Sequence, residues 1–333
     1  MAKHQVSFVI PCMDEAETVE TLLDRIDQVC QEHSIDRQVV FIDDGSRDET
    51  WSIIESLASS RGATEGIRFR RNFGKAAALA AGFEAADREI VITMDADLQD
   101  DPKEIPRFLQ QLDGGLDVIS GWKRKRHDPW HKVLPSRVFN WLVSRATGVK
   151  LHDHNCGFKA YRREIFDQVK LYGELHRFVP VLASARGWKV GEIEVEHHPR
   201  EFGQSKYGVS RLIKGFLDLF TIYFLTSFGR RPLHFVGSIG LLCFALGGAG
   251  LTYLTAMRII SHSSDQMVDI HLHQRALFYY CIVAILLGAQ MLLAGLLAEL
   301  IVSLTREANT PFSIAQHVGD IAQHVGDAND SNS

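Results

Sequence analysis

The sequence predicts an α/β fold, a mostly parallel sheet with helices on both faces, followed by two membrane-spanning helices. Three observations lead there. Over the first 230 residues, short β-rich runs alternate with stretches that repeat apolar residues at helical spacing. Residues 233–257 and 276–298 contain no Asp, Glu, Lys or Arg over 25 and 23 positions, and a helix of about 20 apolar residues crosses a bilayer. Acidic and turn-forming residues follow the β-rich runs, where open parallel sheets bind their ligands.

Taken in order, residues 6–10, 38–42, 66–70, 89–94 and 117–120 read as strands, and residues 18–32, 50–60 and 75–86 as the helices between them. After the first strand comes Pro11-Cys12-Met13-Asp14-Glu15, after the second Asp43-Asp44-Gly45-Ser46, and after the fourth Asp95-Ala96-Asp97-Leu98-Gln99. Asp48 and Ser46 also suit a helix cap. Asp95, Asp97 and Gln99 carry more weight because they follow Ile90-Val91-Ile92-Thr93-Met94 directly. On an extended segment alternate residues share one side, which would present three oxygen ligands to a hard dication such as Mg²⁺ or Mn²⁺. Such an ion neutralises a diphosphate and stabilises it as a leaving group.

Composition narrows the function further. Lys and Arg total 36 against 41 Asp and Glu, a formal charge of −5, so the balance gives no support for a nucleic-acid partner. The five cysteines are odd in number and scattered, as expected of reduced thiols facing the cytoplasm. The start of the chain shows no charged-then-apolar signal pattern. His152, His154 and Cys156 alternate without a second ligand set, which is not a usual zinc site. Neither a G-x-G-x-x-G after a strand nor a Walker A motif is present.

Several motifs in a fixed order resemble family 2 glycosyltransferases of the GT-A fold, in the polyisoprenyl-phosphate branch that includes dolichol-phosphate mannose synthases and bactoprenol glucosyltransferases. They are residues 11–15 and 43–46, Arg71-Asn72-Phe73-Gly74-Lys75, residues 95–99, Cys156-Gly157-Phe158, and Arg200-Glu201-Phe202-Gly203-Gln204-Ser205-Lys206-Tyr207. The resemblance covers residues 5–230 and, for the bactoprenol enzymes, both spans. It implies a nucleotide-sugar donor, UDP-glucose or GDP-mannose, with Pro11, Glu15, Asp43 and Asp44 on base and ribose. Asp95, Asp97 and Gln99 would organise metal and diphosphate, with Asp95 and Asp97 counted as catalytic. Lys75, Arg200, Ser205 and Lys206 would meet the phosphates. Met13 and Asp14 stand where the family often has an aromatic residue and an Asn, which leaves the base open. Asp153, counted with the catalytic residues, either contacts the sugar or helps position the acceptor, or else acts as a turn residue. A modified sugar such as formylated aminoarabinose is the alternative donor. The Q-x-x-R-W motif of processive polysaccharide synthases is absent. A non-catalytic nucleotide-sugar-binding module is the reading from another class.

The acceptor side starts from the cations at 123–126, which alone fit a solvated loop or attraction to lipid headgroups. Residues 129–148, with Trp130, Leu134, Val138, Trp141 and Leu142, suit an interfacial helix. Residues 216–228 offer a second apolar, aromatic-rich segment. The resemblance implies that Lys123 or Arg124, with Arg137, holds the phosphate of an undecaprenyl-type lipid. A phosphate monoester, with a second pKa near about 6, serves as its own nucleophile, so the reaction is expected to be a single inverting displacement.

Arg230 and Arg231 precede the first span, so the positive-inside rule places the N-terminal domain in the cytoplasm at the inner membrane. Gly237, Gly240, Gly247, Gly248 and Gly250 permit close helix packing, within the chain or in a homo-oligomer. The expected division is a catalytic domain at 1–206, juxtamembrane helices at 207–232, the spans at 233–303 and a tail at 304–333 that repeats IAQHVGD in tandem.

Overall fold

The computed structural model describes residues 4–124, 130–169, 175–196, 198, 232–262 and 275–305. The Arg200–Tyr207 motif, residues 216–228 and the tandem repeat lie outside these. The chain divides into two compact units, one holding the sheet and the other the two long helices.

The sheet unit runs β1 (His4–Cys12), α1 (Val19–Glu32), β2 (Ile35–Asp43), α2 (Thr50–Ser60), β3 (Thr64–Arg68), α3 (Lys75–Ala85) and β4 (Ile90–Thr93). It continues with α4 (Ile105–Asp113), β5 (Val118–Trp122), α5 (Trp130–Thr147), β6 (Lys159–Arg162), α6 (Ile165–Gln168), α7 (Val179–Ala185) and β7 (Val190–Glu194). The strand order is β3-β2-β1-β4-β6-β5-β7. β6 runs antiparallel to both neighbours, and the other pairings are parallel.

Two-residue periodicity sorts the central strands into two cores. Phe8, Ile10, Val39, Phe41 and Ile92 pack with α1, α2 and α4, whereas Val9, Val40, Ile42 and Val91 pack beneath α3. Each such side chain, fully buried, contributes about 1.5–3 kcal/mol. Helix α3 approaches closely because position 82 is glycine: a Cβ there would lie 2.3 Å from Val9 Cγ1.

Several elements differ from the sequence expectation. β3 lies at Thr64–Arg68 rather than 66–70. β6 and β7 were not anticipated, since Lys-Ala-Tyr-Arg is too short and too polar at its ends to register as a strand. α4 was also unanticipated; its Pro106 stands in the first turn, where proline costs no helical hydrogen bond.

The second unit pairs helices Pro232–His262 and Ala276–Thr305, both long and apolar enough to cross a membrane. Leu241, Leu246, Tyr280 and Ile301 are at least 60% exposed, which rules against buried core helices. The pair packs through glycine. A Cβ on Gly240 would lie 2.8 Å from the Gly288 carbonyl, and one on Gly247 would lie 2.6 Å from the Cys281 carbonyl. Gly248 faces open space. The Leu233 N–H donates to Glu299 Oε2 at 3.3 Å, so the carboxylate that ends the apolar run satisfies a helix-start donor.

Candidate active site

The sheet changes direction at β1: the chain goes from β1 to β2 on one side, then returns to place β4 on the other. Such a switch point opens a crevice at the carboxyl ends of the strands. The loops leaving β1 and β2 are stitched together there. Asp14, in the left-handed region with φ 57°, donates its N–H to Ser46 Oγ and accepts from the Arg47 N–H, both at 2.9 Å. The Glu15 N–H donates to Thr50 Oγ1 at 2.8 Å, and the Ala16 N–H to Asp48 at 3.2 Å. Pro11 stands in β1 opposite Ile42.

Acidic side chains gather around this crevice. Burial first, then the negative field of Glu15, Asp43, Asp95 and Asp48, pushes the Cys12 thiol well above its ordinary value. Asp43 is fully buried; it accepts from the Ser46 N–H at 2.9 Å and faces Arg68 Nε at 3.3 Å. Asp44 accepts from the Phe73 N–H at 2.7 Å and the Gly74 N–H at 3.0 Å. It therefore braces the loop that delivers Lys75. Gly45, with φ 77°, lets that loop approach: a Cβ would lie 2.7 Å from the Arg71 backbone carbon.

Gly74, with φ 94°, precedes α3, and Lys75 in the first turn forms an ion pair with Asp95. Burial alone would raise the Asp95 carboxyl, but Lys75 and then Lys123 outweigh it and hold it down at about 2. The same pairing raises Lys75 against the lowering effect of burial. Asp95 also rests on Gly157, where a Cβ would lie 2.7 Å from Oδ1 and 2.8 Å from Oδ2. Gly157 is held in turn by Thr93 Oγ1, which donates to its carbonyl at 2.7 Å.

The expectation of an extended acidic segment is corrected here. β4 stops at Thr93, residues 96–98 turn, and Leu98 adopts φ 57°. Alternation along a strand thus does not orient Asp95, Asp97 and Gln99; a strained turn does, and strain of this kind persists where the surroundings over-determine it. Asp97 is 8% exposed and accepts from the Gln99 N–H at 3.3 Å. The Gln99 amide donates to the His198 carbonyl at 3.3 Å, leaving its oxygen as the candidate ligand. Among the described residues, the His, Cys, Asp and Glu trio close enough to share an ion is Asp101, Glu196 and His198, beside this turn.

The basic residues separate by environment. Lys123 is 14% exposed and pairs at 2.8 Å with Asp100, whose side chain is fully buried. Burial lowers the Lys123 ammonium, but Asp100 outweighs it and the net shift is upward. Nothing in the order of residues pointed to this partner. Arg124 is exposed, pairs with Glu194 at 3.3 Å and lies 6.0 Å over the Trp122 ring. Arg137 is exposed on α5 near Val138 and Trp141, which are 51% and 64% exposed. Asp153 is buried and accepts from the Asn155 N–H at 3.1 Å, the geometry of a turn. His152 stacks on Trp122 and pairs with Glu192, whereas His154 is buried beside Ser144. Arg200, Ser205 and Lys206 lie outside the described residues.

Sequence reasoning passed over Lys159, His176 and Arg177, which line a cavity of about 30 Å³ together with Lys75 and Asp95. Lys159 donates from its buried ammonium to the carbonyls of His154 and Cys156. Its position directly after Cys156-Gly157-Phe158 was the available signal.

Comparison with known proteins agrees with this architecture. The family model described as Glycosyl transferase family 2 matches residues 7–170. A dodecaprenyl-phosphate galacturonate synthase of Rhizobium johnstonii is 36% identical over 95% of this chain and 93% of its own length. An undecaprenyl-phosphate 4-deoxy-4-formamido-L-arabinose transferase of Aeromonas hydrophila subsp. hydrophila is 37% identical, covering 89% of this chain and 88% of that protein. Among solved structures, glucosyl-3-phosphoglycerate synthase from Mycobacterium tuberculosis, in complex with Mn²⁺, uridine diphosphate and phosphoglyceric acid, superposes with a TM-score of 0.52. It is 17% identical, covers 68% of this chain and 79% of that one, and shows the shared fold. The chain belongs to glycosyltransferase family 2 and is a glycosyltransferase with a GT-A-like sheet.

Proposed function

We propose that this glycosyltransferase moves a modified sugar from a nucleotide-sugar to a polyisoprenyl phosphate at the cytoplasmic face of the inner membrane. The observation that carries the reading is the acidic crevice at the β1/β4 switch point, closed by the Lys75–Asp95 pair, in a chain that also carries two membrane-length helices. The relatives similar along nearly the whole chain are named for transfer to dodecaprenyl or undecaprenyl phosphate. Their sugars are a galacturonate and a formamido-arabinose, so a modified sugar takes precedence over glucose or mannose.

The site's own charge supports a dication. Asp43, Asp44, Asp95 and Asp97 would repel a diphosphate, and carboxylate and amide oxygens suit Mg²⁺ or Mn²⁺. Asp97, Asp95 and the Gln99 amide oxygen are the residues to hold it; when bound it supplies charge neutralisation for the leaving diphosphate. Glu15 and Asp43 accept from ribose hydroxyls or base N–H groups, and Asp44 keeps the Lys75 loop in register. Lys75 then faces the diphosphate, joined by Arg200, Ser205 and Lys206.

Arg137 and Arg124 are the exposed cations for the lipid phosphate, and Trp141 beside Arg137 suits an interfacial position. Lys123, tied to Asp100, adds its positive field at Asp95. The acceptor is largely dianionic at neutral pH, so its oxygen attacks the anomeric carbon as the bond to the diphosphate breaks, with inversion. Residues 1–206 form the catalytic domain in this reading, joined through 207–232 to the spans.

The test incubates detergent-purified protein with undecaprenyl phosphate, Mg²⁺ or Mn²⁺, and UDP- and GDP-linked sugars, with mass spectrometry of the lipid. A sugar-phosphate lipid from one donor is expected; absence of any lipid product beside measurable donor binding would count against catalysis.

A further inference from the structure

Asp95 answers to two ammonium groups of different freedom. Lys75, whose side chain is 35% exposed, pairs with it from the first turn of α3. Lys123, 14% exposed, stands just past the end of β5 and is tied at 2.8 Å to Asp100. Burial would raise the Asp95 carboxyl, and Lys75, then Lys123, hold it down, so the fields of both cations reach it. Lys75 in turn feels Asp100 as well as Asp95. Two carboxylates and two ammonium groups thus form one neutral set.

Asp100 is sealed from solvent at 1% exposure, and among the described residues neither of its oxygens accepts a backbone N–H. A buried carboxylate is costly unless a countercharge balances it. Lys123 is that countercharge, and the dependence is mutual. The Cys156 thiol, within electrostatic reach of Lys123 but pushed up to about 12 by burial, stays protonated and supplies no charge. Both neighbours of Asp100 along the chain are fixed: the Gln99 carbonyl accepts the His198 N–H at 2.9 Å, and the Asp101 side chain accepts the Lys103 N–H at 3.0 Å.

A dication held by Asp95 and Asp97 meets this pair. Lys75 can turn to the donor diphosphate, but the more deeply buried Lys123 stays, and its charge opposes the ion. Asp100 offsets that opposition. We propose that the Lys123–Asp100 pair sets how tightly the centre holds its divalent ion, with Asp100 as a positioning residue that fixes Lys123 and balances its charge. The inference rests on the metal reading above and extends it to residues outside the ligand set. It also withdraws Lys123 from the lipid phosphate.

The experiment titrates Mn²⁺ into the full-length protein in detergent and follows the free ion by electron paramagnetic resonance, beside thermal unfolding of each preparation. Asp100→Asn leaves Lys123 unbalanced and is expected to weaken Mn²⁺ binding ~10-fold, whereas Lys123→Met removes the opposing charge and is expected to tighten it by a similar factor. The two changes together should return affinity to within about threefold of the unmodified protein and recover much of the stability that either alone loses. Damage to packing would weaken binding in both single variants, so opposite signs separate charge from structure. Unchanged affinity in both single variants, or weaker binding in both, would overturn the inference and leave the metal reading intact. An unmodified protein that binds no Mn²⁺ would sink both. Each single variant carries its own sign, so one that fails to fold leaves the other to decide; if neither folds, a ~10-fold loss of affinity in the double variant overturns the inference.

Discussion

Replacing Gly157 by alanine should disable the site through a single methyl group. The added Cβ would stand 2.7 Å from Asp95 Oδ1 and 2.8 Å from Oδ2, where ordinary contact begins at 3.4 Å. The carboxylate must then retreat by about 0.7 Å, or the 153–157 loop must yield by as much. Neither has much room: Asp95 is ion-paired to Lys75, and the Gly157 carbonyl is fixed by Thr93 Oγ1. Misplacement of catalytic groups by about 1 Å costs on the order of 10²-fold, so turnover should fall ~10- to 100-fold. Overpacking should lower stability by only ~1–3 kcal/mol. The assay follows label from nucleotide-sugar into lipid, beside thermal unfolding of the same preparation. Gly62→Ala serves as the control, because nothing lies within 4 Å of a Cβ there. Full turnover in Gly157→Ala, or a loss that merely tracks the unfolded fraction, would refute the reasoning.

Four other outcomes are expected. Asp97→Ala, like chelation of the divalent ion, should abolish transfer while the far-UV circular dichroism is unchanged; undiminished transfer would remove Asp97 from the metal site. Arg137→Ala should raise the KM for the lipid acceptor by more than that for the donor, and equal effects on both would take it off the acceptor face. Asp44→Ala leaves the Phe73 and Gly74 N–H groups without their carboxylate, so stability should drop by about 1–3 kcal/mol and donor KM should rise; an unchanged denaturant midpoint would contradict this. Burial, then Lys159, pulls His154 from 6.5 to about 4. The unfolded chain takes up that proton first as pH falls, so stability is full above about pH 6.5 and declines towards pH 4 by ~3 kcal/mol. Urea midpoints across that range should show the slope, and His154→Gln should flatten it.

Legibility differed residue by residue. The runs around Val9, Val40 and Ile92 declared themselves as strands because a sheet buried on both faces needs continuous apolar sequence. β6 escaped notice because Lys159 points a charge into the interior, and a buried ammonium looks like a surface residue until its carbonyl partners are known. The acidic motif was found, but its geometry was misread, since Leu98 carries no mark that its backbone enters the left-handed region. Lys75 was recognised as a phosphate candidate, yet its pairing with Asp95 joins residues 20 positions apart on different elements.

The order of residues alone carries whatever is local or periodic. That covers the α/β class, the two uncharged spans, and the identity and order of the acidic motifs, because periodicity and composition survive in one dimension. Tertiary structure alone decided which charges neutralise one another. It set Lys123 on Asp100 and Lys75 on Asp95, made Gly157 a seat for a carboxylate, and gathered Lys159, His176 and Arg177 around one small cavity. The physical reason is that electrostatic pairing depends on distance through space, and a chain's residue numbers do not carry that distance.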